Sequence, residues 1–195
     1  MSPDARLELL RHCETPSRVA CRISTHVSRR NNRLRLSFSL DGDLTRLRVP
    51  AAAATRRTDE LWKHTCFEAF IARIEATGYH EFNFAPSGEW AAYVFRDYRA
   101  GCRHAADALA PEIDVHRGAT RLQLDAVIRL DRLSAAHVVE PLRLALAAVV
   151  EDESGALSYW ALAHAPGNPD FHHPDSFVLP LTADAADIPD RARLP

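Results

Sequence analysis

The sequence predicts an all-β fold, namely a single-domain antiparallel β-sandwich of jelly-roll type. Runs of alternating polar and apolar residues recur along the chain, and turn-forming residues separate them. The length of 195 residues suffices for one sizeable core. We expect residues 1–183 to form the sandwich, and residues 184–195, which carry Pro, Asp and Arg, to form a frayed tail.

The alternating runs are typical of half-buried antiparallel strands, in which successive side chains face opposite sides of the sheet. In the first run, apolar residues from Leu34 to Leu40 alternate with Arg and Ser. The same pattern covers residues 121–130, 142–150 and 157–162. We therefore predict a strand in each of these segments.

The segments between the runs carry turn and cap residues. Asn31-Asn32 and the acidic segment 151–155 predict hairpin turns, and Asp41-Gly42-Asp43 predicts a tight turn. Short helical turns are expected near residues 58–62, where Thr58 would be the N-cap, and near residues 134–137.

Composition and charge narrow the functional classes. The net charge is −2 and the 24 basic residues are scattered, with Arg29-Arg30 read as exposed loop charges, which argues against a nucleic-acid partner. No apolar run is long enough to span a bilayer, and the first residues lack the layout of a signal peptide. We therefore expect a cytoplasmic protein with no membrane partner. The sequence does not predict an oligomeric state.

Sequence motifs of several common enzyme and metal-binding classes are missing. The four cysteines form no Cys-x-x-Cys pair, which argues against a zinc knuckle or a dithiol redox site, and Cys66 is expected in the core. Neither a Gly-x-Ser-x-Gly sequence, a phosphate-binding loop nor a dinucleotide fingerprint occurs.

Residues 61–98 form the most informative block, because aromatic and carboxylate side chains fall there within two strand runs and the turn after them. Residues i and i+2 of a strand share a face, so Glu68 shares one with Phe70, and Glu81 shares one with Asn83. A charge among apolar strand residues needs a hydrogen-bonding partner or a ligand. The turn between the runs leaves the hairpin register open, and a slip of one residue would place the two glutamates on opposite faces.

Two groups of segments carry a family resemblance, one within this block and one nearer the C-terminus. They are Leu61-Trp62, Cys66-Phe67-Glu68-Ala69-Phe70, Tyr79-His80-Glu81-Phe82-Asn83-Phe84, Pro86-Ser87-Gly88-Glu89-Trp90, Leu157-Ser158-Tyr159-Trp160-Ala161-Leu162-Ala163-His164 and Gly167-Asn168-Pro169-Asp170-Phe171-His172-His173. Over most of its length the chain resembles the DOMON-like proteins related to family 9 carbohydrate-binding modules. The resemblance implies a jelly-roll-like sandwich that binds a small ligand, which is a sugar or haem in members of that group.

Sugar recognition needs flat apolar rings for the C–H faces of the pyranose and polar groups for its hydroxyls. We therefore expect non-catalytic binding of a small polar ligand, with a carbohydrate or a sugar-containing metabolite as first choice. The expected ligand-binding residues are the aromatic and polar side chains Trp62, Glu68, Glu81, Asn83, Glu89, Trp90, Tyr93 and Trp160. Trp90 is the most site-like tryptophan because it follows a Pro-Ser-Gly turn; core packing is the competing interpretation for all three.

Alternative functions use the same residues or none of them. Two carboxylates flanking a glycosidic bond are the arrangement of a glycosidase, which makes the pair Glu68 and Glu81 a candidate catalytic site. An interaction module without a small ligand would pair through an exposed sheet surface or an edge strand.

Cofactor and metal sites are further alternatives to the prediction that the protein binds neither. Haem or another redox cofactor could bind through histidine, without covalent attachment, at His80, His164, His172 or His173. The set His164, Asp170, His172 and His173 combines imidazole and carboxylate, which are ligands of transition metals. Calcium needs clustered oxygen ligands, and Glu151-Asp152-Glu153 reads instead as a solvated turn.

Overall fold

The computed structural model describes residues 4–15 and 17–184, and this part of the chain contains twelve strands and two short α-helices. The strands are β1 (Asp4–Arg11), β2 (Cys21–Arg30), β3 (Arg33–Gly42), β4 (Cys66–Arg73), β5 (Tyr79–Phe84), β6 (Trp90–Phe95), β7 (Arg103–His104), β8 (Glu112–Arg117), β9 (Arg121–Arg129), β10 (Leu142–Glu151), β11 (Leu157–Ala161) and β12 (Leu179–Leu181). The α-helices are α1 (Leu130–Leu133) and α2 (Ala135–Val139), and 3-10 turns occupy Leu44–Arg46, Leu61–Lys63, Asp107–Leu109 and Pro174–Ser176. Apart from Asp184, the predicted tail lies outside the described residues.

The strands form a two-layered antiparallel sandwich, as predicted. They are hydrogen-bonded in the order β7-β6-β5-β4-β10-β11-β1-β2-β3-β9-β8, with β12 paired to the beginning of β10. We call the layer β1-β2-β3-β9-β8 sheet I and the layer β7-β6-β5-β4-β10-β11 with β12 sheet II. Strand β1 belongs to both, because most of it pairs with β2 while its last residues, Leu10 and Arg11, pair with β11.

The main core lies between the two sheets. Alternation in β3 and β9 directs Leu36, Phe38 and Leu124 toward sheet II, where the ring of Phe38 stacks on that of Phe67 with 5.0 Å between the centroids. The polar residues of β3 point to the opposite side, which is the pattern expected of a sheet with one solvated face. The predicted alternation of these strands is therefore confirmed.

Sheet II differs because its outer face is also covered. Every residue from Leu144 to Glu151 in β10 is buried. The inner face carries leucines, while Ala145, Ala147 and Val149 lie in a second apolar cluster with Phe171 and the partly buried Phe177, from the segment that follows β11. Small residues on this face leave room for covering segments and for the cavity described below.

Two of the three predicted turns are confirmed, and the prediction of the third is wrong. Asn31 and Asn32 connect β2 and β3 with φ angles of 49° and 55°, as a two-residue primed turn requires. The turn between β10 and β11 is closed by Asp152, whose carboxylate accepts the backbone N–H groups of Ser154 and Ala156. At the third site β3 continues through Gly42, and the residue after it, Asp43, caps the 3-10 turn Leu44–Arg46.

The predicted cap at Thr58 and the predicted exposure of Arg29 are wrong, whereas the helical turn near residue 134 is present. The helical turn predicted near residues 134–137 is present as α2, and Ser134 caps it by accepting the N–H of His137. Near residue 60, Thr58 does not cap the 3-10 turn Leu61–Lys63; its hydroxyl donates to Glu89 instead. Arg29 was expected to be exposed but is only 1% exposed, and its guanidinium donates to backbone carbonyls at the end of α2 and at β12. Within the described chain, no helix is long and apolar enough to cross a membrane.

Candidate functional site

A cavity of about 740 Å³ lies on the outer face of sheet II. Its floor comes from strands β4, β5, β6, β10 and β11. Its walls come from residues 59–62, from residues 99–104, which end in β7, and from residues 169–172. Sites for small molecules typically measure roughly 300–1,000 Å³. The lining residues are Asp59, Glu60, Trp62, Glu68, Glu81, Tyr93, Phe95, Arg99, Cys102, His104, Val149, Tyr159, Pro169, Phe171 and His172.

The register of β4 and β5 brings the two glutamates to one face of the floor. Glu68 pairs with Asn83, and Phe70 pairs with Glu81, so the two carboxylates are diagonal neighbours across the strands. Diagonal positions on one face of an antiparallel pair are about 7 Å apart. The structure thereby resolves the register that the sequence left open.

Glu68 is the most unusual group of the floor. Its side chain is 3% exposed, yet its carboxylate accepts no hydrogen bond and forms no ion pair with any described residue. Burial raises the pKa of the Glu68 carboxyl well above its usual value; the neighbouring Glu81 raises it further, and Arg99 opposes the shift. Because Glu68 lines the cavity, water or a ligand there can supply the donor that this acceptor lacks in the protein.

Glu81 is held in place by Asn83, whose amide nitrogen donates to its Oε1 at 2.7 Å. Burial raises the pKa of Glu81, while the Asn83 hydrogen bond and the charge of Arg99 oppose the shift. Asn83 is fully buried and also accepts the Cys66 thiol at 3.8 Å. The prediction that Asn83 binds the ligand is therefore corrected, because this side chain supports Glu81 from outside the cavity lining.

His172 closes the cavity beside Glu81. Its Nδ1 lies 2.8 Å from the hydroxyl of Tyr79, which also accepts the backbone N–H of Arg99. The other ring nitrogen, Nε2, lies 3.7 Å from Glu81 Oε2. Burial lowers the pKa of His172 to about 4, with a further contribution from Arg99, so the ring is neutral at physiological pH.

Asp170 joins two of the walls. Its carboxylate accepts hydrogen bonds from Arg99 Nη2 at 2.7 Å and from the Tyr98 hydroxyl at 2.5 Å. It also accepts the backbone N–H of His172, which fixes the start of the segment that carries this histidine. These contacts link the wall at residues 99–104 to the wall at residues 169–172, and the Glu68 carboxylate takes no part in them.

The rim on the other side contains Trp62 and a small polar network. Trp62 lies in the 3-10 turn and is 46% exposed, with Lys63 Nζ 5.6 Å from its ring centroid. The carboxylate of Asp59 accepts the Tyr93 hydroxyl at 3.1 Å and an Arg57 guanidinium N–H at 3.2 Å. Trp62 is thus a large apolar surface open to the cavity and to solvent.

The two other tryptophans do not line the cavity, which corrects the stacking roles predicted for them. Trp90 is 4% exposed and packs in the main core, opposite Phe84. Trp160 is 7% exposed in the same core, where its indole N–H donates to the Ser158 hydroxyl at 3.0 Å. Both residues occupy positions of β6 and β11 that face sheet I, so the alternation of these strands places their side chains in the core.

Glu89 also lies away from this cavity. Its carboxylate accepts hydrogen bonds from Thr58, Arg56 and Ser87, which attach the segment before Trp62 to the turn between β5 and β6. These donors, Thr58 first, hold the pKa of Glu89 below its usual value. Glu89 instead lines a smaller cavity of about 300 Å³, so its predicted ligand contact stays a prediction and would lie outside the cavity on the outer face of sheet II.

Comparisons with known proteins place the fold. The chain is similar to a protein from Bacteroides uniformis for which carbohydrate binding has been proposed, with 13% identity and a TM-score of 0.67 over 89% of this chain and 84% of that one. It is also similar to a family 9 carbohydrate-binding module from Caldicellulosiruptor kristjanssonii in complex with cellotriose, with 12% identity and a TM-score of 0.52 over 93% and 83%. The fold resembles that of family 9 modules. No protein-family model and no curated protein matches the sequence.

This similarity confirms the family 9 part of the resemblance at the level of fold, while the DOMON-like part stays a prediction. Of the eight predicted ligand-binding residues, the family 9-like sandwich brings Trp62, Glu68, Glu81 and Tyr93 to one cavity. It places the other four in the core or at a neighbouring turn.

The metal-ligand candidates are separated by their own contacts. His164 Nε2 lies 2.8 Å from the carbonyl of Leu10, and His173 Nδ1 accepts the N–H of Asp175. His172 faces the cavity, whereas Asp170 binds Arg99. Among the described residues, no group of three or more His, Cys, Asp or Glu side chains is arranged to hold a metal ion.

The structure also bears on two further predictions, which concern His80 and the acidic turn 151–155. His80, a candidate haem ligand, packs edge-on against His137 at 5.0 Å and is not among the residues that line the cavity. The acidic turn is less solvated than predicted, because Glu151 and Asp152 are buried, and Glu151 binds Arg48 at 2.9 Å and His64 at 2.7 Å.

Several cavity residues escaped the sequence analysis. Asp59 and Glu60 lie just before Leu61-Trp62, and no motif marked them as cavity residues. Tyr159, Phe171 and Arg99 carried no motif; of these, Tyr159 and Phe171 fall within the segments of the family resemblance. The alternation in β11 was the one available signal, because it places Tyr159 on the face opposite Trp160.

Proposed function

We propose that this protein binds a carbohydrate or a sugar-containing metabolite, without catalysis, in the cavity on the outer face of sheet II. The observation that carries the proposal is the convergence of Trp62, Glu68, Glu81 and Tyr93 in one cavity of about 740 Å³. These residues come from four separate segments of the chain. Their side chains are of the two kinds that sugar binding requires, aromatic rings and hydrogen-bonding groups.

The chemistry of the floor suits a polyhydroxylated ligand. A sugar hydroxyl is both a donor and an acceptor, so it can donate to Glu68 and accept from a neighbouring group. Tyr159 and Phe171 add apolar surface to the lining, and Trp62 adds a ring at the rim. A hydroxyl that donates to Glu68 would satisfy the buried acceptor that the protein leaves without a partner.

Binding rather than hydrolysis is supported by the fold similarity to proteins described as carbohydrate-binding. The pair Glu68 and Glu81 has the residue types of a glycosidase site, so hydrolysis of chromogenic glycosides is the assay that separates the two functions. Release of chromophore at a rate that falls in the Glu68→Gln variant would replace the binding proposal by a catalytic one.

The experiment is isothermal titration calorimetry of the full chain with mono- and disaccharides, using two tryptophan variants. Trp62→Ala is expected to weaken sugar binding by about 10-fold, or roughly 1.4 kcal/mol, and to leave stability nearly unchanged because the ring is half exposed. Trp90→Ala is expected to cost about 3–5 kcal/mol of unfolding free energy because it leaves a cavity in the core.

The proposal fails if saturable heat is absent for the whole sugar panel, or if Trp62→Ala binds as tightly as the parent protein. Parallel titration with haemin, followed by absorbance, tests the competing cofactor hypothesis. A Soret shift that requires His172, without any response to sugars, would favour haem over carbohydrate.

A further inference from the structure

The cavity is lined by more carboxylates than the protein neutralises. Asp59, Glu60, Glu68 and Glu81 all line it. The lining guanidinium, Arg99, is already bound to Asp170 at 2.7 Å. Its imidazole neighbour, His172, is neutral because burial lowers its pKa to about 4.

These carboxylates differ in how well the protein satisfies them. At the rim, Asp59 accepts hydrogen bonds from Tyr93 and Arg57, and Glu60 pairs with Lys63 at 2.7 Å. On the floor, Glu81 accepts the Asn83 amide. Glu68 has no partner among the residues that the structure describes, although it is more than nine-tenths buried and lines the cavity.

From this arrangement we propose that the Glu68–Glu81 pair is a subsite for a protonated amino group, so that the preferred ligand is an amino sugar or another polyhydroxylated amine. The inference rests on the proposed function and names its ligand class. An ammonium group carries three donors and a positive charge, so one such group can donate to both carboxylates and favours their ionised form, which burial disfavours in the free protein.

A neutral hydroxyl satisfies the pair less completely. It has one proton to donate, so it can serve one carboxylate and leaves the charge of the pair unchanged. The groups around the pair do not replace the missing cation. Burial raises the pKa of the Cys66 thiol and raises that of Tyr93 to about 12, so both are neutral, and the charge of Arg99 is shared with Asp170.

The test compares three sugars that differ at one carbon, namely glucose, glucosamine and N-acetylglucosamine, together with the 3-amino and 6-amino positional isomers of glucosamine. Calorimetric titrations near neutral pH give the dissociation constants. At least one amino isomer is expected to bind roughly 10-fold to 100-fold more tightly than glucose. Acetylation removes the charge and is expected to abolish the gain.

Two glutamine variants locate the effect. Glu68→Gln is expected to weaken binding of the amino sugar more than binding of glucose, so that the two affinities lie within about threefold of each other. Glu151→Gln is the matched control, because Glu151 is equally buried, lies outside the cavity lining and is bound to Arg48 and His64. This control is expected to retain the preference for the amine.

The outcomes separate the inference from the proposed function. Equal binding of glucose and every amino isomer, or an amine preference that survives in Glu68→Gln, overturns the inference and leaves carbohydrate binding in place. Absence of binding to all of these sugars overturns the inference together with the proposal on which it rests. Preference lost in Glu68→Gln and retained in Glu151→Gln supports it.

Discussion

Replacement of Glu68 by glutamine is expected to stabilise the ligand-free protein at neutral pH. Most buried substitutions destabilise, so the sign of this prediction is diagnostic. The reason is that Glu68 holds a buried carboxylate without a hydrogen-bond donor from the described residues, beside the second carboxylate of Glu81. Glutamine keeps nearly the same shape and removes the charge.

The size of the effect follows from the cost of a buried polar group without a partner. That cost is about 1–3 kcal/mol for a neutral group and more for a charged one. Glutamine leaves an unpartnered amide here and removes only the charge, so the unfolding free energy should rise by about 1–3 kcal/mol. For a protein of this size each kcal/mol raises Tm by roughly 2–4 °C. Residues kept for ligand binding often lower the stability of the free protein, so replacing one of them is expected to raise it.

The pH dependence gives the prediction a second signature. The folded-state pKa of Glu68 is raised above the ordinary value of 4.5, so the folded protein binds this proton more tightly than the unfolded chain does. Stability from the protonated carboxyl is present below pH 4.5 and is lost as the pH rises through the folded-state pKa. The advantage of Glu68→Gln should therefore be small below that value and should grow toward neutral pH.

The assay is thermal unfolding followed by circular dichroism across this pH range, with Glu151→Gln as control. Glu151 is also buried, but its carboxylate binds Arg48 and His64, so its replacement should lower stability by about 1–3 kcal/mol. Loss of stability in Glu68→Gln at every pH would refute the reasoning, because it would mean that the protein itself satisfies this carboxylate.

The remaining predictions concern buried polar groups of the sandwich. Arg29→Met should lower the unfolding free energy in urea by about 3–5 kcal/mol, because it strands the carbonyls of His137, Val138 and Glu140, and a loss below about 1 kcal/mol would contradict this account. Burial lowers the pKa of His80 to about 4, so as the pH falls from 6.5 to about 4 the unfolded chain binds a proton that the folded protein does not. The unfolding free energy should therefore decrease over this range. His80→Phe should reduce that acid-dependent loss in thermal unfolding, and an unchanged pH profile would show that His80 does not cause it.

Much of the sandwich could be predicted because polarity alternates with a period of two in its strands. In β3 and β9 this pattern follows directly from one buried and one solvated face. The Asn31-Asn32 turn was predictable for a local reason, since both residues tolerate the positive φ that a tight hairpin needs. The tight turn predicted at Asp41-Gly42-Asp43 was wrong because the same residue types also serve as helix caps, and Asp43 caps a 3-10 turn.

The candidate site could be predicted only in part because it depends on register and on segments that cover a sheet. Glu68 and Glu81 stood out as charges within apolar strands, but their meeting on one face was decided by the pairing of Phe70 with Glu81. The three tryptophans could not be sorted by motif. Trp62 is at the rim and Trp90 is in the core, which is the reverse of the order that the neighbouring Pro-Ser-Gly turn suggested.

The central claim, that the cavity on the outer face of sheet II binds a sugar, is tested most directly by tryptophan fluorescence titration of the parent protein and the Trp62→Phe variant. Trp62 lines the cavity, while Trp90 and Trp160 are buried in the core and provide an internal reference. We predict a saturable change in emission with glucosamine that disappears in Trp62→Phe, although the variant still binds the sugar in calorimetry. A saturable change of the same size in Trp62→Phe, or none in either protein, would contradict the account.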